Sequence, residues 1–470
     1  MNTVEKINSR SSACEISRAI QNGKCSSSEI ISQCLENVSS SNDKLNCFTS
    51  VLNERAQIRA REIDHKIAQG KQTGPLTGVP FSVKNLFDIK GISTLAGSKI
   101  NRDHSPATED AVLIKRLEAA GAILVGGVAM GEYAYDFTGE NEHYGHCKNP
   151  WDLSRMSGGS SSGSGTSVAS GVVPFSLGSD TNGSIRVPSS LCGIFGLKPT
   201  YGRVPRTGTF PFCDSLDHLG PLARTVEDLA QVYDQIQGMD SGDPACADRK
   251  VQSVSEKIER DISELTVAKA GGYFDCTDFP QAGAAVDLVC RALGASMELP
   301  MKGTKYGRAA AYLITNAESS TLHKSRLQTR VEDFDEDTRC RFLAGAMLPA
   351  NWYIQAQAAR RWWLEQMLEM FQTCDLIIAP ATPCPAPKNG EKYLNIGGEQ
   401  HLLRPNLGLF TQPFSAIGLP VVCVPVWTDD SDLPIGVQIV AAPWREDLAF
   451  QAANYLEKTG LCKVRMPPPI

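Results

Sequence analysis

The 470-residue chain has no apolar run near the roughly 20 residues that a membrane-spanning helix needs. Its start, Met1-Asn-Thr-Val-Glu-Lys6, lacks the apolar core of a signal peptide. These absences predict a cytoplasmic protein with no membrane partner. Charge of one sign is also scarce. A formal net charge of −6 provides no broad basic surface for nucleic acid or anionic lipid. No C-x-x-C pair occurs, and the 15 cysteines are odd in number and scattered from Cys14 to Cys462, which predicts free, mostly buried thiols in a reducing compartment. No period of roughly 20 to 50 residues repeats, and no low-complexity tail is present. Histidine is thin as well, with seven residues in all.

What is present reads as a soluble α/β protein, 42% hydrophobic and 21% charged. Ser26-Ser-Ser-Glu29 ahead of Ile30, Ile31, Cys34 and Leu35 predicts a capping box opening a helix. A second helix is expected over Leu52 to Ala68. Leu76 to Asp88 is a short apolar strand with one lysine, Lys84, at its far end. Ala111 to Ala120 has helical spacing, and Gly121 to Gly126 is a buried strand, so helix and strand alternate. Later come a helix capped at Thr225, a long helix over Ala350 to Phe371, and core strands at Asp375 to Pro380, Val421 to Val426 and Gly436 to Ala441. Asp240 to Gln281 is more polar and reads as a surface excursion. No clean boundary divides the chain. It is expected to be one domain, 1–470, with N-terminal helices to about 70, a catalytic core over about 71–235, a more variable helical region over about 240–372, and C-terminal core strands and a helix over about 373–470.

Two Gly-rich segments stand out: Arg155-Met-Ser-Gly-Gly-Ser160-Ser-Ser-Gly-Ser-Gly165 and Gly178-Ser-Asp-Thr-Asn-Gly-Ser184-Ile-Arg186. Glycine is used where a chain needs positive φ or close backbone approach. Such runs also make linkers, but the apolar stretches Ser167 to Leu177 and Leu191 to Leu197 beside them read as core. Serine needs a base to attack, and neither segment contains a histidine. Gly159-Ser-Ser161-Ser-Gly163 fits the G-x-S-x-G pattern, although so much Gly and Ser makes a match easy. Lysine is the other base available. Neutralising Lys84 means moving its amine from about 10.4 towards 7 by desolvation. From the segment alone, Lys84 is equally a lysine whose stem lies along apolar surface while its amine reaches water. The pair His143 and His146 could suggest a metal site, but no third ligand stands at metal spacing. No metal and no cofactor are expected.

The Lys84 segment, the Gly-Gly-Ser160-Ser161-Ser162-Gly163 loop and the Gly183-Ser184-Ile-Arg186 turn together closely resemble the amidase signature family. The likeness continues through Gly220-Pro221, Tyr353 to Gln357, Ala379 to Pro383 and Gly418-Leu-Pro420, so it covers nearly the whole chain. It implies a mixed central β-sheet flanked by helices on both faces. Catalysis would use Ser184 as nucleophile, Ser160 as a bridging serine after a cis peptide, and Lys84 as base. The N–H groups of Thr181, Asn182, Gly183 and Ser184 would form the oxyanion hole. Asn182 stands where the family commonly has glycine, and asparagine tolerates left-handed φ better than most residues. Within the family, Gly131 to Gly145 and Asn351 to Gln357 are most similar to a branch that deaminates a small carboxylated urea, 1-carboxybiuret, in s-triazine breakdown alongside a small helical partner subunit. The resemblance therefore implies a linear urea or amide substrate, ammonia release, and a homodimer or heterotetramer. A carboxylated substrate needs a cationic or amide-rich pocket, for which Tyr135, His143, Arg186 and Gln355, with Arg155 and Arg360-Arg361, are candidates. Arg186 could equally hold Asp180 beneath the turn, and Arg360-Arg361 could be a solvated helix face. Two other readings stand beside this one: the glutaminase subunit of a tRNA-dependent amidotransferase, and a non-catalytic scaffold with an amidase fold.

Overall fold

A computed structural model describes residues 7–469, so the Met1–Lys6 start lies outside the described residues. Eleven strands form one sheet: β1 (Phe48–Val51), β2 (Pro80–Lys84), β3 (Ile123–Val128), β4 (Phe175–Asp180), β5 (Phe195–Lys198), β6 (His218–Ala223), β7 (Val267–Ala270), β8 (Met297–Leu299), β9 (Leu376–Pro380), β10 (Val421–Val426) and β11 (Ile435–Ala441). Their spatial order is β1-β3-β2-β4-β6-β5-β10-β11-β9-β7-β8. The sheet is mixed. β3, β2 and β4 run parallel, as do β9, β7 and β8, while the strands between them pair antiparallel.

Both faces are covered, as alternation along β3 makes plain. Leu124 joins the larger core with Leu113, Ile114 and Leu117 of the Val112–Ala119 helix and with the Val226–Ile236 helix. Ile123 and Val125 point the other way, into a second core with Ile31, Cys34 and Val38 of Ser27–Leu45 and Ala56, Ala60 and Ile63 of Asn53–Ala68. The capping box expected at Ser26 is formed, with Glu29 reaching back to the Ser26 N–H at 2.8 Å. Thr225 caps its helix by accepting from the Asp228 N–H at 3.1 Å.

One expectation fails. The polar stretch over 240–281 contains β7, an inner strand of the sheet, paired through Leu376↔Val267 and Met297↔Ala268. Four residues, Val-Ala-Lys-Ala, are too few for a recognisable apolar run, and long-range pairing decides their state.

Parallel pairing of β2 with β4, through Phe81↔Phe175 and Val83↔Leu177, brings their carboxyl ends side by side. Lys84 ends the first strand and Asp180 the second. The crevice beyond such strand ends is where open α/β sheets bind ligands.

Candidate active site

Lys84 is fully buried, and its Nζ lies 2.7 Å from Ser160 Oγ and 2.9 Å from Ser179 Oγ. Burial pushes its amine down to about 7, although Asp180, Asp217 and Asp136 pull the other way. Much of the amine is therefore uncharged near neutrality and able to accept a proton.

The Gly159-Ser160 peptide is cis. Ser161 fastens the two Gly-rich turns together. Its N–H donates to the Ser184 carbonyl at 3.3 Å, while its hydroxyl donates to the Ser179 carbonyl at 3.1 Å and accepts from the Ser179 N–H at 3.2 Å. Ser184 thus sits against the turn that carries Ser160.

Beneath the second turn, Asp180 accepts from Arg186 Nε at 3.0 Å, Arg186 Nη2 at 2.9 Å and the Ile185 N–H at 3.2 Å. Burial alone would raise the Asp180 carboxyl, but Arg186 outweighs it and holds the group well below the usual carboxylate range. Arg186 is itself fully buried and also donates to the Thr411 carbonyl at 3.0 Å and Gln438 Oε1 at 2.6 Å. Its donors are spent inside the fold. As a substrate-reading residue Arg186 is corrected to an anchor of the turn.

The turn's positive φ, +140°, falls at Gly183, where a Cβ would overlap the Thr411 side chain. Asn182 is outside the left-handed region, so the turn does not draw on asparagine's tolerance of it. Among the described residues, no hydrogen bond uses the N–H groups of Thr181, Asn182, Gly183 or Ser184. Four consecutive free donors are thereby presented beside a serine. The Asn182 side chain donates from Nδ2 to Thr315 Oγ1 at 2.9 Å.

Ser184, Thr181 and Asn182 open onto a cavity of about 720 Å³ that is also lined by Tyr135, Phe212 and Arg341. The Tyr135 hydroxyl donates to Asn316 Oδ1 at 2.7 Å, and the Arg341 guanidinium lies 4.7 Å from the Tyr135 ring centre. Arg341 donates to the Tyr135 carbonyl at 3.0 Å and forms no ion pair among the described residues, a cation free to meet an anion.

Other candidates lie elsewhere. The His143 imidazole is buried against Glu132, Nε2 to Oε1 2.9 Å, and does not line the cavity. Gln355 is exposed on the Ala350–Met370 helix, because the helical period turns Ala356, Trp363 and Met367 inward instead. Arg155 pairs with Asp152 at 3.0 Å, Arg360 donates to the Ser215 carbonyl at 3.0 Å, and Arg361 is exposed. Sequence reasoning missed Ser179, Arg341 and Arg404, the last of which also lines the cavity and donates from Nε to Asp136 Oδ1 at 3.0 Å. Ser179 could have been found from the register that sets β4 beside β2, whereas the two arginines carry no local signal.

All fifteen cysteines are free, and Cys340 alone is exposed. Among the described residues, no three His, Cys, Asp or Glu side chains gather as a metal site. No helix among them is long and apolar enough to cross a membrane.

Comparison with known proteins gives a consistent picture. The family described as Amidase matches residues 29–449. The AtzE component of 1-carboxybiuret hydrolase from Pseudomonas sp. (strain ADP) is 47% identical over 452 residues, covering 96% of this chain and 99% of that protein. A glutamyl-tRNA(Gln) amidotransferase subunit of Geobacillus thermodenitrificans (strain NG80-2) is 34% identical, covering 94% of this chain and 96% of its own length. A structure described as "An unexpected vestigial protein complex reveals the evolutionary origins of an s-triazine catabolic enzyme" superposes with a TM-score of 0.95 at 46% identity, covering 97% of this chain and 100% of that one.

Proposed function

The chain belongs to the amidase family and is an amide hydrolase, and on that premise we propose that it releases ammonia from a small linear carboxylated urea of the 1-carboxybiuret kind. The observation that carries the reading is a fully buried amine, depressed to about 7, at 2.7 Å from the Ser160 hydroxyl on a turn fastened to Ser184.

Neutral Lys84 takes the Ser160 proton as Ser160 takes that of Ser184, and Ser184 Oγ attacks the carbonyl carbon. The resulting oxyanion accepts from the free N–H groups of Thr181 to Ser184, each such donor being worth roughly 10²–10³ in rate where one has been removed. As the C–N bond breaks, the proton returns along the same path to the leaving nitrogen, which departs as ammonia. Water then attacks the carbamoyl ester on Ser184 with the relay repeated, and the carboxylated product leaves. Arg341, with Tyr135 behind it, meets the substrate carboxylate.

A carboxylated urea is favoured over glutamine by the 47% relative, whose name states that substrate, against 34% for the amidotransferase relative. Both relatives are named as subunits, which supports a heteromeric assembly; a small helical partner, in a heterotetramer, is our reading of it, with a homodimer as the alternative. An ammonia-release screen over carboxybiuret, biuret, allophanate, malonamide and glutamine, with and without the partner, tests the reading. Highest kcat/KM is expected on the carboxylated urea, with Ser184→Ala and Lys84→Met each falling by at least about 10³. Glutamine as best substrate would favour the amidotransferase role. Absence of Ser184-dependent fluorophosphonate labelling would favour the scaffold.

A further inference from the structure

The turn that faces Ser160 is built around a carboxylate. Asp136 is buried, accepts from the Thr138 N–H at 2.9 Å, Thr138 Oγ1 at 2.7 Å and the Gly139 N–H at 2.6 Å, and packs so closely on Gly159 that any Cβ there would overlap it. The same turn grips the residues before Ser160 through their backbone: the Gly158 N–H donates to the Thr138 carbonyl at 3.0 Å and the Gly159 N–H to the Phe137 carbonyl at 2.8 Å. A rotation of the Asp136 turn would therefore move the bridging hydroxyl with it.

Arg404, which lines the cavity together with Asp136, holds this carboxylate. Its Nε donates to Asp136 Oδ1 at 3.0 Å while Nη1 donates to Asp337 Oδ2 at 2.6 Å, on the Glu336–Ala346 helix that also carries Arg341. One guanidinium thus spans the turn behind Ser160 and the helix that brings Arg341, together with Glu336 and Asp337, to the cavity. Nothing in the catalytic relay itself requires either residue.

We infer that Arg404 and Asp136 are positioning residues for Ser160, a buried ion pair that sets the bridging hydroxyl between Lys84 and Ser184 and ties its placement to the substrate-facing helix. This rests on the hydrolytic reading above. Neither residue touches the reacting atoms. Asp136 acts through the backbone of Gly158 and Gly159, and Arg404 acts through Asp136.

The pair also acts on Lys84 through charge, which packing alone would not do. The charged groups acting on Lys84 are Asp180, Asp217 and Asp136, all of which favour its protonated form. Arg404 offsets Asp136, so removing the arginine leaves a carboxylate that holds the proton on Lys84 to higher pH.

The test measures kcat, KM and the acid limb of kcat/KM on the best substrate of the screen for Arg404→Met, Arg404→Lys and Asp136→Asn. Arg404→Met is expected to lower kcat by about ten- to a hundredfold, the scale of a small misplacement in a reacting array, with KM within about threefold. Its acid limb is expected to move to higher pH, and Arg404→Lys to recover much of both. If Arg404→Met does not fold, Asp136→Asn, which leaves no stranded carboxylate, is expected to lower kcat and move the limb the opposite way. Unchanged kcat and limb would overturn the inference, as would a rise in KM alone, which would make Arg404 a substrate-reading group. Ammonia release that survives Ser184→Ala would instead overturn the hydrolytic reading.

Discussion

A lysine closed off from water trades stability for reactivity, and Lys84 is where that trade can be measured. Its folded amine titrates near 7, whereas an unfolded lysine holds its proton to about 10.5. Because catalysis uses the neutral amine, kcat/KM is expected to rise with pH through about 7 and then level off. Between those two values the unfolded chain binds a proton that the folded chain lacks, so this residue's contribution to stability climbs as pH rises across the window. At pH 7 the buried amine costs on the order of 4 kcal/mol. Lys84→Met removes that cost but leaves the Ser160 and Ser179 hydroxyls without their partner, worth about 1–3 kcal/mol. The variant is expected to be inactive yet more stable than the parent at pH 7, by roughly 2 kcal/mol, and to lose that advantage by pH 10. Urea midpoints at the two pH values decide it. A variant weaker than the parent at both would mean the amine is not strained by its burial.

At the scale of elements, the Ser162–Ala169 helix shows why the Gly-rich segment is not a linker. All eight of its residues are buried, and at Gly163 the helix lies directly on the backbone of Ala129 and Cys47, its N–H donating to the Ala129 carbonyl at 2.9 Å. A Cβ there would overlap the Ala129 backbone. Alanine in an exposed helix is favoured over glycine by about 0.5–1 kcal/mol. Gly163→Ala is expected to do the reverse, destabilising by about 2 kcal/mol through overpacking and lowering the melting temperature. An unchanged melting temperature would show that β3 yields instead. Elements with a cap, a period or an apolar run were legible from residue order alone: the capped Ser27–Leu45 and Val226–Ile236, the periodic Val112–Ala119 and the apolar strand that ends in Lys84. Two kinds of feature were not. The Val267–Ala270 strand is too short to have a pattern and is decided by its neighbours in the sheet, and Arg341 and Arg404 reach the cavity only because distant helices are folded over it. Arg186 and His143 misled for a related reason: a polar residue near a site is as easily consumed by a buried partner as offered to a ligand, and only coordinates tell which.

At the scale of the whole molecule, the Ala13–Gln21 helix, the Val226–Ile236 helix and the Glu446–Lys458 helix meet around three carboxylates, Glu227, Asp228 and Glu457. Asp228 accepts from the Ala13 and Cys14 N–H groups at 2.8 and 2.9 Å, and Glu457 accepts from the Val226 N–H at 2.9 Å. Burial, reinforced by Asp228 and Glu227, pushes Glu457 up to about 7 from an ordinary 4.5. A carboxyl raised in this way contributes stability that is fully present below about 4.5 and lost as pH rises through about 7, the opposite slope to that of Lys84. Hydrolysis, which needs pH near or above 7, therefore takes place where this junction is weakest. Glu457→Gln keeps an acceptor for the Val226 N–H and removes the charge. Since the side chain is only partly buried, the expected gain is about 1–2 kcal/mol at pH 8 and close to zero at pH 5, read as the difference in unfolding midpoint between variant and parent at each pH. An equal gain at both values would place the effect in packing, and a loss at pH 8 would mean that the ionised carboxylate is what holds the last helix to the Val226–Ile236 helix.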